Sequence, residues 1–305
     1  MRKFLFVSKL AGTIALFLAL IMTVGIAEEK RTDASGVWCY VLEDGGATIT
    51  GSREMPPEDL VFPSELDGYP VTAIDMWVSD DVYITSVTIP DSVTRIGAMA
   101  FSYYFTGFSS ITIPDSITSI GNWAFYCCEL TSVTIPASVV EIDGNPFDAC
   151  PMEYIDVAAD NPVYEQVDGV LFDKGQKMLV VYPGARKGHY TIPEEVLHVG
   201  DMAFTNCEGL TGVIIPDSVT SIGESAFWGC TSLTSVTIPD GVTDIGDMAF
   251  DMCDNLTSVI IPDSVISIGD WAFGHDSYVT LRITRGSYAE LYAEEHEIPY
   301  EYIVE

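Results

Sequence analysis

Basic residues are scarce in this chain. It carries 13 Lys and Arg against 45 Asp and Glu, a formal net charge of −32. That balance excludes nucleic acid as a partner, because phosphate binding is driven by Lys and Arg displacing counterions. Anionic membrane surfaces are disfavoured for the same reason, while solubility, cationic partners and Ca²⁺ are favoured. Chemical motifs are also missing: there is no Gly-rich phosphate loop, no nucleophile elbow and no metal-type Cys pair. His189, His198, His275 and His296 share no spacing. His296-Glu297 begins like a zincin helix, but Tyr300 stands where the second His is needed and Pro299 would break the helix. A carboxylate pair for glycoside hydrolysis could be drawn arbitrarily from 45 acids. Function has to be argued from a site, and none of this makes one, so the expectation is a protein that is not an enzyme, with a secreted hydrolase as the remote alternative.

Only one apolar run stands out, and it lies at the start. Arg2, Lys3 and Lys9 precede a largely apolar stretch from Leu10 to Ile26, and Gly25 and Ala27 put small residues before a cut after Ala27. This reads as a secretory signal peptide over 1–27, too short for a comfortable membrane span. No Cys follows the cut, which speaks against a lipoprotein, and no sorting tail follows Tyr302-Ile303-Val304-Glu305. Losing 1–27 removes three basic residues and leaves 10 against 45 acidic ones, a formal charge of −35. The expected localisation is secreted or cell-surface, without membrane insertion after cleavage.

The rest of the chain repeats. Ile-Pro falls at 89–90, 113–114, 135–136, 192–193, 215–216, 238–239 and 261–262, at spacings of 24, 22, 57, 23, 23 and 23. A period near 23 means stacked supersecondary units, not a globule around one centre. In the unit 233–255, Leu233, Val236 and Ile238 alternate with Thr and Ser as a short strand does. Pro239 ends it, Asp240-Gly241 turns, and Val242 and Ile245 point back inward. Gly246 allows a tight corner or a positive φ, and Asp247-Met248-Ala249-Phe250 reads as one helical turn. Phe recurs at 101, 125, 147, 204, 227, 250 and 273, so that stacked coils bury Phe on Phe. Parallel strands of successive coils then lie about 4.8 Å apart.

Seven Cys in a secreted chain suggest disulfides, but five occupy one slot. Cys128, Cys150, Cys207, Cys230 and Cys253 each follow the repeat's Phe by three residues. Side chains of one slot point the same way, which is poor disulfide geometry, so these thiols are expected buried and free. Cys39 and Cys127 fall outside the slot.

The order Leu-x-x-Val-x-Ile-Pro, Val-x-x-Ile-Gly, Ala-Phe-x-x-Cys resembles the BspA-type leucine-rich repeat family, over most of residues 61–280. Gly36 to Ile74 resembles its amino-terminal module, and Ser287 to Ala293 with Ile298-Pro299-Tyr300 resembles its closing cap. The resemblance implies a β-rich solenoid, a right-handed coil of short parallel strands and short helical turns. The expected division is a signal peptide at 1–27, a cap module at 28–60, the solenoid at 61–280 with an irregular hairpin insert at 154–188, and a C-terminal cap at 281–305. The resemblance further implies a secreted or surface protein, some members being described as adhesins for host matrix proteins or other cells.

Three surfaces are candidates for a partner. The insert holds Lys174, Lys177, Arg186 and Lys187 beside Tyr154, Tyr164, Phe172 and Tyr182, an expected exposed basic and aromatic hairpin on an acidic body; its aromatics could equally pack on the solenoid. Thr88, Thr112, Thr134, Thr191 and Thr237 form an exposed strand ladder broken by Ile214 and Ile260, beside a Ser row broken by His189 and Gly212. Such a row could face a protein or a glycan, or simply tolerate exposure. Asp91, Asp115, Asp217, Asp240 and Asp263 form a third ladder. These carboxylates could hold Ca²⁺ or cap their turns in solvent, and they match no EF-hand loop. The expected function is an interaction scaffold for adhesion or protein binding, acting as a monomer on an extracellular protein or cell surface. The alternative is a glycan-binding or envelope-structural protein. No cofactor is called for beyond the open Ca²⁺ reading.

Overall fold

The computed structural model describes residues 29–54, 57–75, 82–102, 105–274 and 279–303. The expected signal peptide and His275 lie outside the described residues. The described chain is a β-solenoid of about ten turns of about 23 residues. As expected, the Ser-Val-Thr segments are strands and pair in parallel: Ser132–Ile135 with Tyr154–Val157, Ser235–Thr237 with Ser258–Ile261, and Ser258–Ile261 with Thr280–Ile283.

Each coil also makes a second strand at the residue pair before Gly, and these short strands build the longer ladders. One sheet runs from Arg31–Thr32 through Trp38–Glu43, Gly46–Ser52, Tyr69–Ile74, Arg95–Ile96 and Ser119–Ile120 to Glu141–Ile142. Another runs from Tyr164–Val167 through Val170–Asp173, Met178–Val181, His198–Val199, Ser221–Ile222 and Asp244–Ile245 to Ser267–Ile268. The Gly that follows keeps φ out of the left-handed region in the repeats. Its role is close approach: a Cβ on Gly246 would sit 2.6 Å from the Glu224 amide nitrogen, and one on Gly121 2.5 Å from that of Ala98.

The Ala-Phe corner is not helical, which corrects the sequence reading. Met99, Trp123, Met202, Ser225, Met248 and Trp271, the residues before Ala-Phe, all have φ between 52° and 61°. With this left-handed residue, successive N–H groups bond alternately to the next coil and back within their own. Ser225 and Phe227 donate to the carbonyls of Asp247 and Ala249 in the next coil, both at 2.8 Å, whereas Ala226 and Trp228 donate three residues back, to Gly223 and Ser225. A helical turn would send every N–H along its own axis and leave this edge without bonds to the next coil. The one described α-helix, α1 (Tyr288–Glu295), lies in the segment expected to be a C-terminal cap. Ser287 caps its start, and Tyr292 meets Phe273 edge-on at 6.0 Å.

Inside the coils the Phe side chains stack almost parallel. Centroid separations are 4.7 Å for Phe204–Phe227, 5.0 Å for Phe227–Phe250 and 5.7 Å for Phe250–Phe273, with ring planes within 13° of parallel. The ladder thiols are buried beside them. Four donate to the carbonyl of the Phe one coil back: Cys128 to Phe101 at 3.1 Å, Cys150 to Phe125 at 3.0 Å, Cys230 to Phe204 and Cys253 to Phe227, both at 3.2 Å. Burial pushes Cys150 and Cys253 up to about 12 and Cys128, Cys207 and Cys230 well above the usual thiol range.

Two outcomes test this core. Phe227→Ala should lower unfolding free energy by about 3–5 kcal/mol, read from urea melts, because the neighbouring rings cannot close the gap. Iodoacetamide should leave the five ladder thiols unlabelled in the native protein and modify them once denaturant is added, since burial withholds the thiolate; mass spectrometry of peptides reads both states.

Candidate functional site

The insert is a three-stranded meander, not a lone hairpin: Tyr164–Val167 pairs with Val170–Asp173, which pairs with Met178–Val181. Asp168-Gly169 turns the first pair with φ of 50° and 72°, the positive-φ pair that a tight hairpin needs. The expected exposed aromatics are mostly inside. Tyr164, Phe172 and Tyr182 are buried. Tyr182 fills the Phe slot of this coil, 4.9 Å from Phe204, and its carbonyl faces the Cys207 thiol. It therefore offers no surface contact, because the spine needs an aromatic there. Arg186 is tied down as well: Nε donates to the Glu153 carbonyl at 3.1 Å, a terminal nitrogen donates to the Asp168 carbonyl, and the guanidinium lies 5.8 Å from the Tyr182 ring centre. Lys174 is exposed and donates to the Asn161 carbonyl at 2.6 Å, Lys177 is exposed at a left-handed turn position, and Lys187 is exposed. Tyr154, partly exposed, lies over Gly169.

Where the repeat is interrupted, the coil at 145–148 meets the coil at 202–206. Asn145 donates to the Met202 carbonyl at 3.1 Å, and Asn206 donates to Asp148 at 2.9 Å across 58 residues of sequence. Trp123 Nε1 also donates to Asp148, at 3.1 Å. Asp148 is buried, and burial raises its pKa from 3.8 to about 6 despite these donors. Sequence inspection gave no sign of it, since one Asp among 45 acids looks like surface.

All five Thr of the expected ladder are exposed, but they are not one row. Thr134 pairs in register with Asp156 of the insert coil, so it is not adjacent to Thr191. Thr237 lines a concavity. A groove of about 610 Å³ opens where the first-strand face breaks between the pair Gly188–Thr191/Leu210–Ile214 and the four-stranded sheet that starts at Ser235–Thr237. Thr237, Ile214 and Ile260 line it, and Asp217, Asp240 and Asp263 are on its wall. Ile214 is 58 % exposed. In register, Thr191 faces Ile214 and Thr237 faces Ile260. The interruptions in the Thr ladder thus become the apolar part of a groove, and departure from the repeat's Thr was the one sequence signal for them.

A second acidic row went unread. Asp201, Glu224, Asp247 and Asp270 follow the Gly of successive coils; Glu224 N–H donates to Asp201 and Asp270 N–H to Asp247, both at 2.8 Å. Burial raises the Glu224 pKa, with Asp201 and Asp247 adding repulsion. On the second-strand side, His198 Nδ1 lies 2.8 Å from Ser221 Oγ beside a cleft of about 380 Å³. The two are register partners on adjacent coils, so the contact is a rung of the ladder. Among the described residues, no three His, Cys, Asp or Glu are grouped to hold a metal ion, and no helix is long and apolar enough to cross a membrane.

Stacked coils with Leu, Val, Ile and Phe slots in register define a leucine-rich-repeat scaffold. The sequence profile of the BspA type leucine rich repeat region matches in six copies over residues 73–162 and 187–291, and the chain belongs to that family. The interval between the two matches falls inside the insert. No curated protein matches the chain. Among solved structures it is similar to a leucine rich cell surface protein from Faecalibacterium prausnitzii, at 24% identity over 88% of this chain and 97% of that one, with a TM-score of 0.54. It is also similar to a leucine-rich repeat protein from Eubacterium ventriosum, at 24% identity over 84% of this chain and 79% of that one, with a TM-score of 0.63. At these identities the likeness is one of fold.

Asp148 yields a pH test. Its folded pKa is raised, so the protonated form is the one the fold favours. That contribution is full below about pH 4 and is lost as pH rises through about 6. Relative to Asp148→Asn, the wild type should gain about 1 kcal/mol of stability between about pH 7 and about pH 5, read from denaturant midpoints.

Proposed function

We propose that the chain is a secreted or surface-exposed, non-enzymatic scaffold that binds a partner protein along the first-strand face of its C-terminal half, in the manner of an adhesin. The observation that carries this reading is the groove with Ile214 standing 58 % exposed in it. A large apolar side chain left in water inside a groove is more informative than an exposed Thr. Residues 1–27 read as the export signal, and the description of the Faecalibacterium protein as a cell surface protein is in keeping with that. Repeat stacks act by presenting such extended surfaces.

The test is capture of extracellular proteins and whole cells by the immobilised chain from residue 28 onward. Ile214→Arg and Thr237→Arg should each reduce capture by about tenfold or more while leaving the melting temperature nearly unchanged, because both positions are exposed. Reversing the insert's charges with Lys174→Glu and Lys187→Glu should leave capture unaltered. Capture that ignores the groove substitutions and follows the insert lysines would move the contact surface to the insert.

A further inference from the structure

We propose that the groove receives an extended, basic segment of a partner protein, with Lys or Arg side chains answering Asp217, Asp240 and Asp263; this rests on reading the first-strand face as the contact surface. Three observations select that occupant. The slot after the Ile-Pro places one carboxylate on each of three successive coils, all three are exposed, and all three line the groove. No Lys or Arg is among its lining residues, and the basic side chain next in register, the exposed Arg282 opposite Ile260, stands one coil beyond Asp263. Beside the carboxylates, Ile214 and Ile260 stand where 88, 112, 134 and 191 hold Thr, so two apolar side chains flank Thr237 in a row parallel to the acidic one.

Charge decides between occupants. A second copy of a chain with formal net charge −32 would bring like charge to an already acidic groove. A basic segment brings the opposite sign, and such complementarity sets partner choice and encounter rate. The spacing is also suited to a peptide lying along the solenoid axis. Coils advance by about 4.8 Å each, which puts Asp217 and Asp263 about 10 Å apart. A polyproline-type segment rises about 3.1 Å per residue, so every third side chain recurs after about 9 Å on the same side. Basic residues three apart can therefore meet alternate coils while intervening residues lie on Ile214 and Ile260.

The experiment uses a fluorescein-labelled peptide repeating Lys-Pro-Thr, and its Glu-Pro-Thr counterpart, titrated in chelator against the chain from residue 28. Fluorescence anisotropy should show binding of the Lys peptide, weakened by salt, and none of the Glu peptide. The triple variant Asp217→Asn, Asp240→Asn, Asp263→Asn should lose about tenfold or more in affinity. The triple variant Asp201→Asn, Glu224→Gln, Asp247→Asn removes the same charge from the other acidic row and should stay within about twofold of wild type. Melting curves establish that both triples are folded. Equal weakening by the two triples would show diffuse attraction to an acidic body and overturn the proposal. So would an absence of Lys-peptide binding. If the Lys peptide fails while Ile214→Arg still abolishes protein capture, the contact surface stands and its basic occupant falls; if capture is also indifferent to Ile214→Arg, both fall.

Discussion

The repeat distance between coils is the constraint on which everything else in this protein depends. Parallel strands fix it near 4.8 Å, and every other group must accept that spacing. Phenylalanines in the same slot of equivalent coils repeat one orientation, so instead of the edge-on arrangement open to isolated pairs they stack with planes only 3° to 13° apart through the C-terminal half. The glycine before each corner has no room for a Cβ against the coil below. A left-handed residue costs roughly 1–2 kcal/mol, yet one recurs at the corner of six coils, carried by Met, Trp or Ser. It persists because it aims two N–H groups per corner at the neighbouring coil. The thiol slot answers the same geometry: a small, polarizable donor fits under the Phe carbonyl where a hydroxyl would be costlier to bury.

The insert shows how such a stack survives an interruption. The buried hydrophobic residues form two clusters, one reaching to Val181 and the other starting at Val170. They overlap in the meander, where Leu171 and Val181 belong to one side and Val170 and Leu179 to the other. Alternate faces of the same strands thus cement the two halves. Tyr182 keeps the aromatic spine running, and the Asn145, Asn206, Trp123 and Asp148 bonds close the edge that the meander does not cover. A buried carboxyl without a cation is a poor stabiliser but a demanding one, since its donors fit only one arrangement of the coils.

The same stacking produces the surface on which the proposed function rests. Each outward slot becomes a row, so a change in one slot on neighbouring coils becomes a patch. Ile at 214 and 260 in a Thr row is a small departure in sequence, and Asp217, Asp240 and Asp263 simply keep the repeat's residue after Pro. On the molecule the two Ile, either side of Thr237, lie beside the row of three carboxylates in one groove. The insert was the more conspicuous candidate, being basic, aromatic and irregular. Tyr164, Phe172, Tyr182 and Arg186 are occupied in holding the joint, because an irregular coil has to bury something in place of the repeat's own side chains, while Lys174, Lys177 and Lys187 stay exposed.

The period, the slots of Val, Ile, Phe and Cys, the solenoid and the family were legible in the residues alone, because in a stack of similar coils each residue's neighbours are the same slot one period away. The second strand was not legible, since a residue pair is too short to show alternation. Neither was the corner, whose left-handed residue is Met or Trp instead of the Gly that would announce it. Asp148 and the groove lay beyond the sequence for another reason. Both arise where the period fails, between coils 58 residues apart or across a break in the strand face, and there only the folded chain decides which residues become neighbours.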